Sequence, residues 1–439
     1  MPVRVLIMAL PVKAHVYPHV PLAWALRAAG HEVCVASQPD LVDEIAETGL
    51  TVVPVGEALN LEDAITAMPM ESDRTLNPWD LMRMDEFAGD DLDDDFVHGV
   101  SLVMTTLGFP PVSYGGLVDD LVGFARAWKP DLVIWDMFAF AGPVAARACG
   151  AAHARMVFGV DLLGRMREGF RAVQARRPPE LREDPMREWL EPELARFGCP
   201  FGEDVIVGQW TIDPVPPSMR LPTGVHRVPL RHVPYSGGTT VPAWLREPPR
   251  RRRVCLTLGL SRRELAGRER AVVSELLEGV ADLDVEVVAT LNADQLATVA
   301  QVPDNVRTVD FAPLHELLPT CAASIHQGGF GTMQTVLAHG VPQIVLPSGL
   351  WDTTLKARLA RDAGAGLYVE PDRLTAAGLR DMLVRVLDEP SFAAGADRLA
   401  AEIRDMPSPG EVVPVLEKLT AGHRAGAGRP AAPAASLQP

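Results

Sequence analysis

A chain of 439 residues is about two to three times the commonest domain size, so two domains are the first expectation. With 47% apolar and 22% charged residues it has the composition of an ordinary globular protein, which excludes a disordered or fibrous chain. A formal net charge of -16 is repelled by phosphate backbones and anionic lipid, which excludes nucleic acid and membrane surfaces as main partners.

The five cysteines, at 34, 149, 199, 255 and 321, are scattered and odd in number, unlike a disulfide framework or a paired metal site. A reducing cytoplasm is the expected location, since the opening residues lack a secretory pattern and no apolar run reaches membrane-spanning length. Only four of the 41 basic residues are lysine, a composition typical of GC-rich genomes.

In chain order, residues 3–9 form a short apolar run. A loop follows, then a helical pattern over 20–29 stopped by Gly30, then a second apolar run over 32–36. This predicts a βαβ opening. The alternation returns with a strand at 132–135, a helix at 140–149 and a strand at 154–158, all continuous enough in apolar residues to be buried on both faces. Between these blocks, the polar tract 61–118 carries the acidic run Asp90-Asp91-Leu92-Asp93-Asp94-Asp95 and is expected to be a helical insertion. The proline-rich stretch 213–224 is expected to join two domains, with the boundary after 221. Directly before the next apolar run, Arg250 to Arg253 are expected to be a solvated linker edge.

A second set of strands is predicted at 254–258, 285–290, 306–311, 323–325 and 343–346, with helices between several of them. The fold class is therefore α/β: two tandem Rossmann-like doubly wound domains, 1–221 and 222–420, that bind ligands at the carboxyl ends of their strands, facing a cleft. Residues 421–439 hold too little large apolar surface to offset ordering entropy and are expected to be a disordered tail.

Directly after the strand at 323–325 comes His326-Gln327-Gly328-Gly329-Phe330-Gly331-Thr332, opening a helical pattern that continues to about residue 338. Glycines let backbone N–H groups approach an anion closely, and the helix dipole adds partial positive charge, so a diphosphate is the natural ligand. His326 and the Thr332 hydroxyl are candidate donors to it. A ligand-free tight turn would explain the glycines but not the clustered polar donors. A dehydrogenase would need G-x-G-x-x-G after its first strand, and the loop Leu10-Pro11-Val12-Lys13-Ala14-His15 has no glycine.

Downstream lie Gly340-Val341-Pro342-Gln343-Ile344-Val345-Leu346-Pro347 and then Trp351-Asp352-Thr353. Asp352 falls just past a strand's carboxyl end, where a carboxylate can accept hydrogen bonds from sugar hydroxyls. A helix N-cap is its competing role, and the two can coexist.

H-x-G-G-x-G-T, then G-V-P-x-x-x-x-P, then a W-D pair resembles the donor-site signature of family-1 glycosyltransferases of the GT-B fold. Within that family the chain is similar to the antibiotic deoxysugar glycosyltransferases, notably the erythromycin desosaminyltransferase and the anthracycline glycosyltransferases. The likeness is carried by residues 20–33, 129–136, 206–218, 251–259 and 304–323, and runs to about residue 420. It implies that Phe311, Ala312, Pro313 and Leu314 hold a nucleotide base and that Thr257, Gly259 and Ser261 close over the diphosphate. It also implies a thymidine diphosphate (TDP) sugar as co-substrate. Residue by residue, Phe311 alone is equally a core side chain, and nothing reads the thymine methyl.

Displacing a diphosphate by a hydroxyl needs a base, a stabiliser for the leaving charge and a cleft that excludes water. His15 ends the first-strand loop, where the family is expected to place its base, and Asp136 ends the strand at 132–135, where relatives carry an acid that orients the histidine. The expected dyad is His15–Asp136. His19, four residues on, could equally point into the cleft, both dyad members could be helix caps, and His31 is expected to be structural. The implied reaction is an inverting, metal-independent single displacement with no resident cofactor.

Several relatives carry a second histidine where Gln327 stands and a smaller residue where Phe330 stands. Thr353 replaces the glutamine of glucose-using plant relatives, which suits a sugar missing some hydroxyls. The resemblance also implies an auxiliary activator protein similar to a haem-less cytochrome P450, for which the acidic insertion is the expected contact. A homodimer is compatible with the sequence. Two rival functions share the fold: a sugar-nucleotide hydrolase or epimerase, and a catalytically silent scaffold in a biosynthetic complex. The deoxysugar, the aglycone (a macrolide or anthracycline-like polyketide is expected) and O- against C-transfer stay open.

Overall fold

The computed structural model describes residues 2–60, 84–89, 93–110, 116–259, 269–297 and 299–427. A seven-stranded sheet has the order β3-β2-β1-β4-β5-β6-β7, built from β1 Arg4–Met8, β2 Glu32–Ser37, β3 Thr51–Pro54, β4 Leu132–Asp136, β5 Ala152–Met156, β6 Trp210–Asp213 and β7 Arg227–Pro229. A six-stranded sheet has the order β10-β9-β8-β11-β12-β13, from β8 Arg252–Thr257, β9 Val285–Thr290, β10 Val306–Val309, β11 Cys321–His326, β12 Gln343–Val345 and β13 Gly366–Tyr368. Every pairing is parallel.

Parallel strands covered by helices on both faces must be apolar on both faces. In β1, Leu6 and Met8 pack into one core cluster while Val5 and Ile7 pack into another on the opposite face. All five residues of β4 and of β5 are buried. In each sheet the winding reverses between the first and fourth strand, so a crevice opens at the carboxyl ends of β1 and β4, and of β8 and β11. These ends carry the candidate residues. β1 leads into the turn with His15, β4 ends on Asp136, β8 on Thr257 and β11 on His326.

The structure moves two expected boundaries. Residues 213–224 connect β6 to β7 within the first sheet, so the first domain extends past 221 to at least Pro229. β7 escaped the sequence reading because it has only three residues, Arg-Val-Pro, between proline-rich segments. At the other end, residues 421–427 belong to the helix Pro409–Ala427 rather than to a tail, and 428–439 lie outside the described residues. That helix returns to the first domain, where Val412, Val413 and Leu416 join the cluster of Val5 and Ile7.

The tract 61–118 is helical where it is described, at Met84–Ala88, Asp94–Val103 and the π-helical turn Met104–Gly108, while 61–83, 90–92 and 111–115 lie outside the described residues. Its acids are partly structural: Asp93 caps its helix by accepting from the Phe96 N–H at 2.9 Å, and Asp94 pairs with Arg176. Arg253 also departs from the expected solvated run. It is buried, donates to Thr320 Oγ1 at 2.8 Å and faces Glu286, because β8 has already begun there.

Candidate active site

The short helix Lys13–Val16 follows β1 and projects His15 toward the end of β4. His15 Nδ1 lies 2.8 Å from Asp136 Oδ2. A carboxylate only accepts, so Nδ1 carries the proton and Nε2 is left as the free acceptor. Asp136 is fully buried, and its Oδ1 accepts from the Phe138 N–H at 2.9 Å, which fixes the carboxylate from its other side. Asp136 is thus held by its own loop as well as by His15. His19 does not compete for the cleft: it is buried, and its Nδ1 bonds the His15 carbonyl at 2.8 Å. His31 is structural as expected, accepting the Val3 N–H at 3.2 Å.

The His15 ring stands between Phe158, centroids 4.2 Å apart, and Phe138 at 6.0 Å. Phe138 meets the Trp351 edge at 4.8 Å, and Phe158 meets Phe330 at 6.3 Å. Of these aromatic side chains, Phe138 and Phe158 were not singled out in the sequence, whereas Trp351 and Phe330 were named there. The position of Phe138 and Phe158 directly after the carboxyl ends of β4 and β5 was the available signal. Their ring contacts run from the first domain's base to the second domain's glycine-rich turn.

That turn closes on itself. His326 is fully buried, with Nδ1 accepting the Gly328 N–H at 3.0 Å and Nε2 donating to Gln343 Oε1 at 2.9 Å. Burial pushes its pKa down to about 4, so it is a neutral imidazole. Both nitrogens are committed, and the expected donation from His326 to phosphate is corrected: this side chain shapes the turn. Gly328 takes φ +82°, and a Cβ there would approach Val345 Cγ1 to 3.1 Å.

Gly329 is the N-cap of the helix Phe330–Ala338, with no side-chain cap and no acid in the first turn. Its leading N–H groups therefore stay available to an anion. A Cβ on Gly331 would meet nothing within 4 Å, which leaves that side of the helix start open, and Thr332 beside it is half-buried. Gln327 is buried, with Oε1 unpartnered, and packs against Gly259. Thr257 Oγ1 accepts from Thr290 Oγ1 at 2.7 Å and from the Gly259 N–H at 3.3 Å. Ser261 lies outside the described residues. Farther out, Phe311 is exposed, while Ala312 is buried and Leu314 half-buried, the two packing in one apolar cluster beside the sheet. Phe311 is therefore not core.

Asp352 occupies the N-cap position of the helix Thr353–Asp362 without capping it. Its Oδ2 instead accepts the Val160 N–H of the first domain at 2.8 Å, and its Oδ1 faces Lys356 Nζ at 2.9 Å. A Cβ at 159 would fall 2.2 Å from Asp352 Oδ2, so any residue larger than Gly159 would displace this carboxylate. Asp352 thus reaches the cleft from the second domain and touches the first. Thr353 is buried, and its Oγ1 accepts from Ser348 Oγ at 3.4 Å. Lys356 was missed in the sequence, although its i,i+4 spacing from Asp352 and the scarcity of lysine marked it.

On the acceptor side, an apolar cavity of about 10 Å³, room for one water, is lined by Met104, Phe109, Leu163, Met166, Phe170 and Met186, among others. Phe109 links it to Phe138 at 5.9 Å and so to His15. Among the described residues no group of three His, Cys, Asp or Glu side chains could hold a metal ion, and no helix is long and apolar enough to cross a membrane.

Residues 24–259 match the family model for the erythromycin biosynthesis protein CIII-like N-terminal domain, and 274–419 match the corresponding C-terminal domain. The aclacinomycin-T 2-deoxy-L-fucose transferase of Streptomyces galilaeus is 53% identical, with 96% of this chain and 97% of that one aligned. The 10-deoxymethynolide desosaminyltransferase of Streptomyces venezuelae is 47% identical, at 96% and 98% coverage. The solved structure of the glycosyltransferase VinC in complex with dTDP superposes with a TM-score of 0.85 at 41% identity, covering 95% of this chain and 100% of that one. Matched in both halves by that family's models and over nearly its whole length by its glycosyltransferases, the chain belongs to the erythromycin biosynthesis protein CIII-like family, the antibiotic deoxysugar branch of the GT-B family-1 glycosyltransferases.

Proposed function

We propose that this glycosyltransferase moves a deoxysugar from a TDP-sugar onto a hydroxyl of a macrolide or anthracycline-like polyketide aglycone, inverting the anomeric centre. The observation that carries the mechanism is the 2.8 Å His15–Asp136 contact, which leaves Nε2 unprotonated in the cleft that the uncapped helix start of Phe330–Ala338 also faces. Nε2 takes the acceptor's proton as its oxygen bonds to the anomeric carbon. The C–O bond to the diphosphate breaks, and Asp136 stabilises the imidazolium that forms. The departing charge settles on the free N–H groups of the helix start, so no metal or resident cofactor is required.

The names of the relatives support the substrate classes: 2-deoxy-L-fucose, desosamine and daunosamine as sugars, and anthracycline and macrolide acceptors. A dTDP-bound VinC supports the nucleotide. The methionine-rich wall beside Phe109 is the proposed neighbour of the aglycone, since the cavity there holds only one water and an apolar guest would require its methionines to re-pack. The exposed acids near Asp95 are the proposed contact for a P450-like activator, and five unpaired cysteines support a reducing cytoplasm.

Mass spectrometry of reactions with TDP-deoxysugars and a polyketide aglycone panel, with EDTA present and with the activator added or omitted, tests this reading. A glycoside that disappears with His15→Ala supports it. Free sugar without glycoside, or TDP binding with no turnover under any condition, would give the function to a hydrolase or a scaffold.

A further inference from the structure

We infer that Lys356 makes this enzyme select a neutral deoxysugar over an amino sugar, because its buried ammonium already neutralises Asp352, the carboxylate placed to receive the donor's sugar. The inference rests on the donor reading of Asp352 proposed above.

Lys356 is 3% exposed, and its Nζ lies 2.9 Å from Asp352 Oδ1. The same ammonium stands 6.0 Å from the ring centroid of Phe330, the first residue of the glycine-rich helix. Its field reaches the turn itself: after the larger effect of burial, Lys356 helps hold the His326 pKa down. One fixed cation therefore sits between the sugar end and the diphosphate end of the donor site. A neutral hydroxyl can donate to Asp352 and accept from Lys356 at once, which complements an ion pair. A protonated sugar amine can only donate, and it meets a like charge beside a buried ion pair.

An amino sugar finds no other buried carboxylate to pair with. Among the described residues four carboxylates are buried, Asp136, Asp161, Asp213 and Asp352. Asp136 serves His15 and the Phe138 N–H. Asp161 holds Arg155 at 2.6 Å and accepts the Gly164 N–H. Asp213 faces Arg227 at 2.7 Å and Arg220 at 3.4 Å. Asp352 completes the set, already matched by Lys356.

TDP-2-deoxy-L-fucose and TDP-daunosamine make a matched pair of probes, sharing ring configuration and differing at C3, a hydroxyl in one and an ammonium in the other. Their dissociation constants and kcat/KM are measured with the full chain, alongside TDP alone. The wild type is expected to favour the neutral donor by about tenfold or more, the scale of a like-charge contact in a partly screened site. Lys356→Gln is expected to cut that ratio by about tenfold, and Lys356→Arg, which keeps the charge, to preserve it. Equal use of the two donors by the wild type overturns the inference, as does a ratio that Lys356→Gln leaves unmoved. If Lys356→Gln does not fold, the wild-type ratio decides alone. Transfer without discrimination sinks only this inference, whereas no transfer from either donor, with TDP still bound, sinks the transferase reading on which it rests.

Discussion

His15 and Asp136 were legible as single residues because Asp136 ends a strand run and His15 ends the loop that follows another, and strand ends are where a doubly wound sheet places its chemistry. Removing the base by His15→Ala should lower kcat by about 10²- to 10³-fold, the usual worth of a positioned general base, with TDP affinity unchanged by calorimetry. A parallel loss of TDP affinity would show that His15 serves the donor instead. Asp136→Asn keeps the shape but removes the charge that stabilises the imidazolium, and an amide can also donate to Nδ1 and move the proton to Nε2. We expect a loss on the order of 10²-fold or more in kcat for it. His326 was misread for a physical reason: in sequence a histidine before a glycine run looks like a phosphate donor, while its burial and its bond to Gln343 arise only from folding. That burial predicts a pH effect. A histidine held at about 4 in the fold and near 6.5 when unfolded stabilises the protein fully above 6.5. As the pH falls from 6.5 toward 4 the unfolded chain binds the proton first, so stability declines across that window, with buried His19 and His153 acting in the same direction. Thermal unfolding at matched ionic strength should give a lower Tm at pH 5 than at pH 7, with a shallower slope for His326→Asn; a Tm independent of pH would show that these imidazoles already carry their charge in the fold.

At the scale of elements, most strands found from sequence are long and largely buried, as β1, β4, β5, β8 and β9 are, although β6 was missed with all four of its residues buried. β7 and β13 are three residues each, and β3 lies at the sheet edge with no residue buried, so their apolar signal never rose above that of a loop. The strand-to-helix turn at 326–332 was legible from its glycines, but which glycine is indispensable depends on approach distances that no sequence prints. Gly328 has both a left-handed φ and a neighbour at 3.1 Å, whereas Gly331 has open space around it. Gly328→Ala should therefore destabilise the protein by about 1–2 kcal/mol from the backbone conformation alone, and it should raise KM for the donor because the turn aims the helix start. Gly331→Ala should be near neutral for stability in denaturant titration and act only on donor affinity. The ordering fails if Gly331→Ala proves the more destabilising of the two.

Across the whole molecule, two Rossmann-like units were legible from the repeat of strand and helix patterns, but not how the chain's last helix is used. Composition made 421–439 look too small and polar to order. Its first seven residues nevertheless continue a helix whose apolar side is set earlier, at Val412, Val413 and Leu416, buried against the first domain. Around that contact Glu417 meets His31 at 3.1 Å, His423 bonds Gln209 at 3.0 Å and Arg424 pairs with Asp131. The helix therefore fastens the second domain's end onto the domain that carries His15, and the packing of β1 depends on residues far along the chain, Val412, Val413 and Leu416. Burying three such side chains is worth about 5 kcal/mol or more, comparable with the net stability of a domain. Cutting the chain after Ser408 should leave the first domain insoluble or loosely packed, with fast amide hydrogen exchange in β1 and β2. Leu416→Ala, which keeps the helix, should cost about 2–4 kcal/mol in chemical denaturation and accelerate exchange in those same strands. Protection in β1 and β2 that survives both changes would mean the first domain folds without the helix, and the contact would then be a surface attachment rather than part of its core.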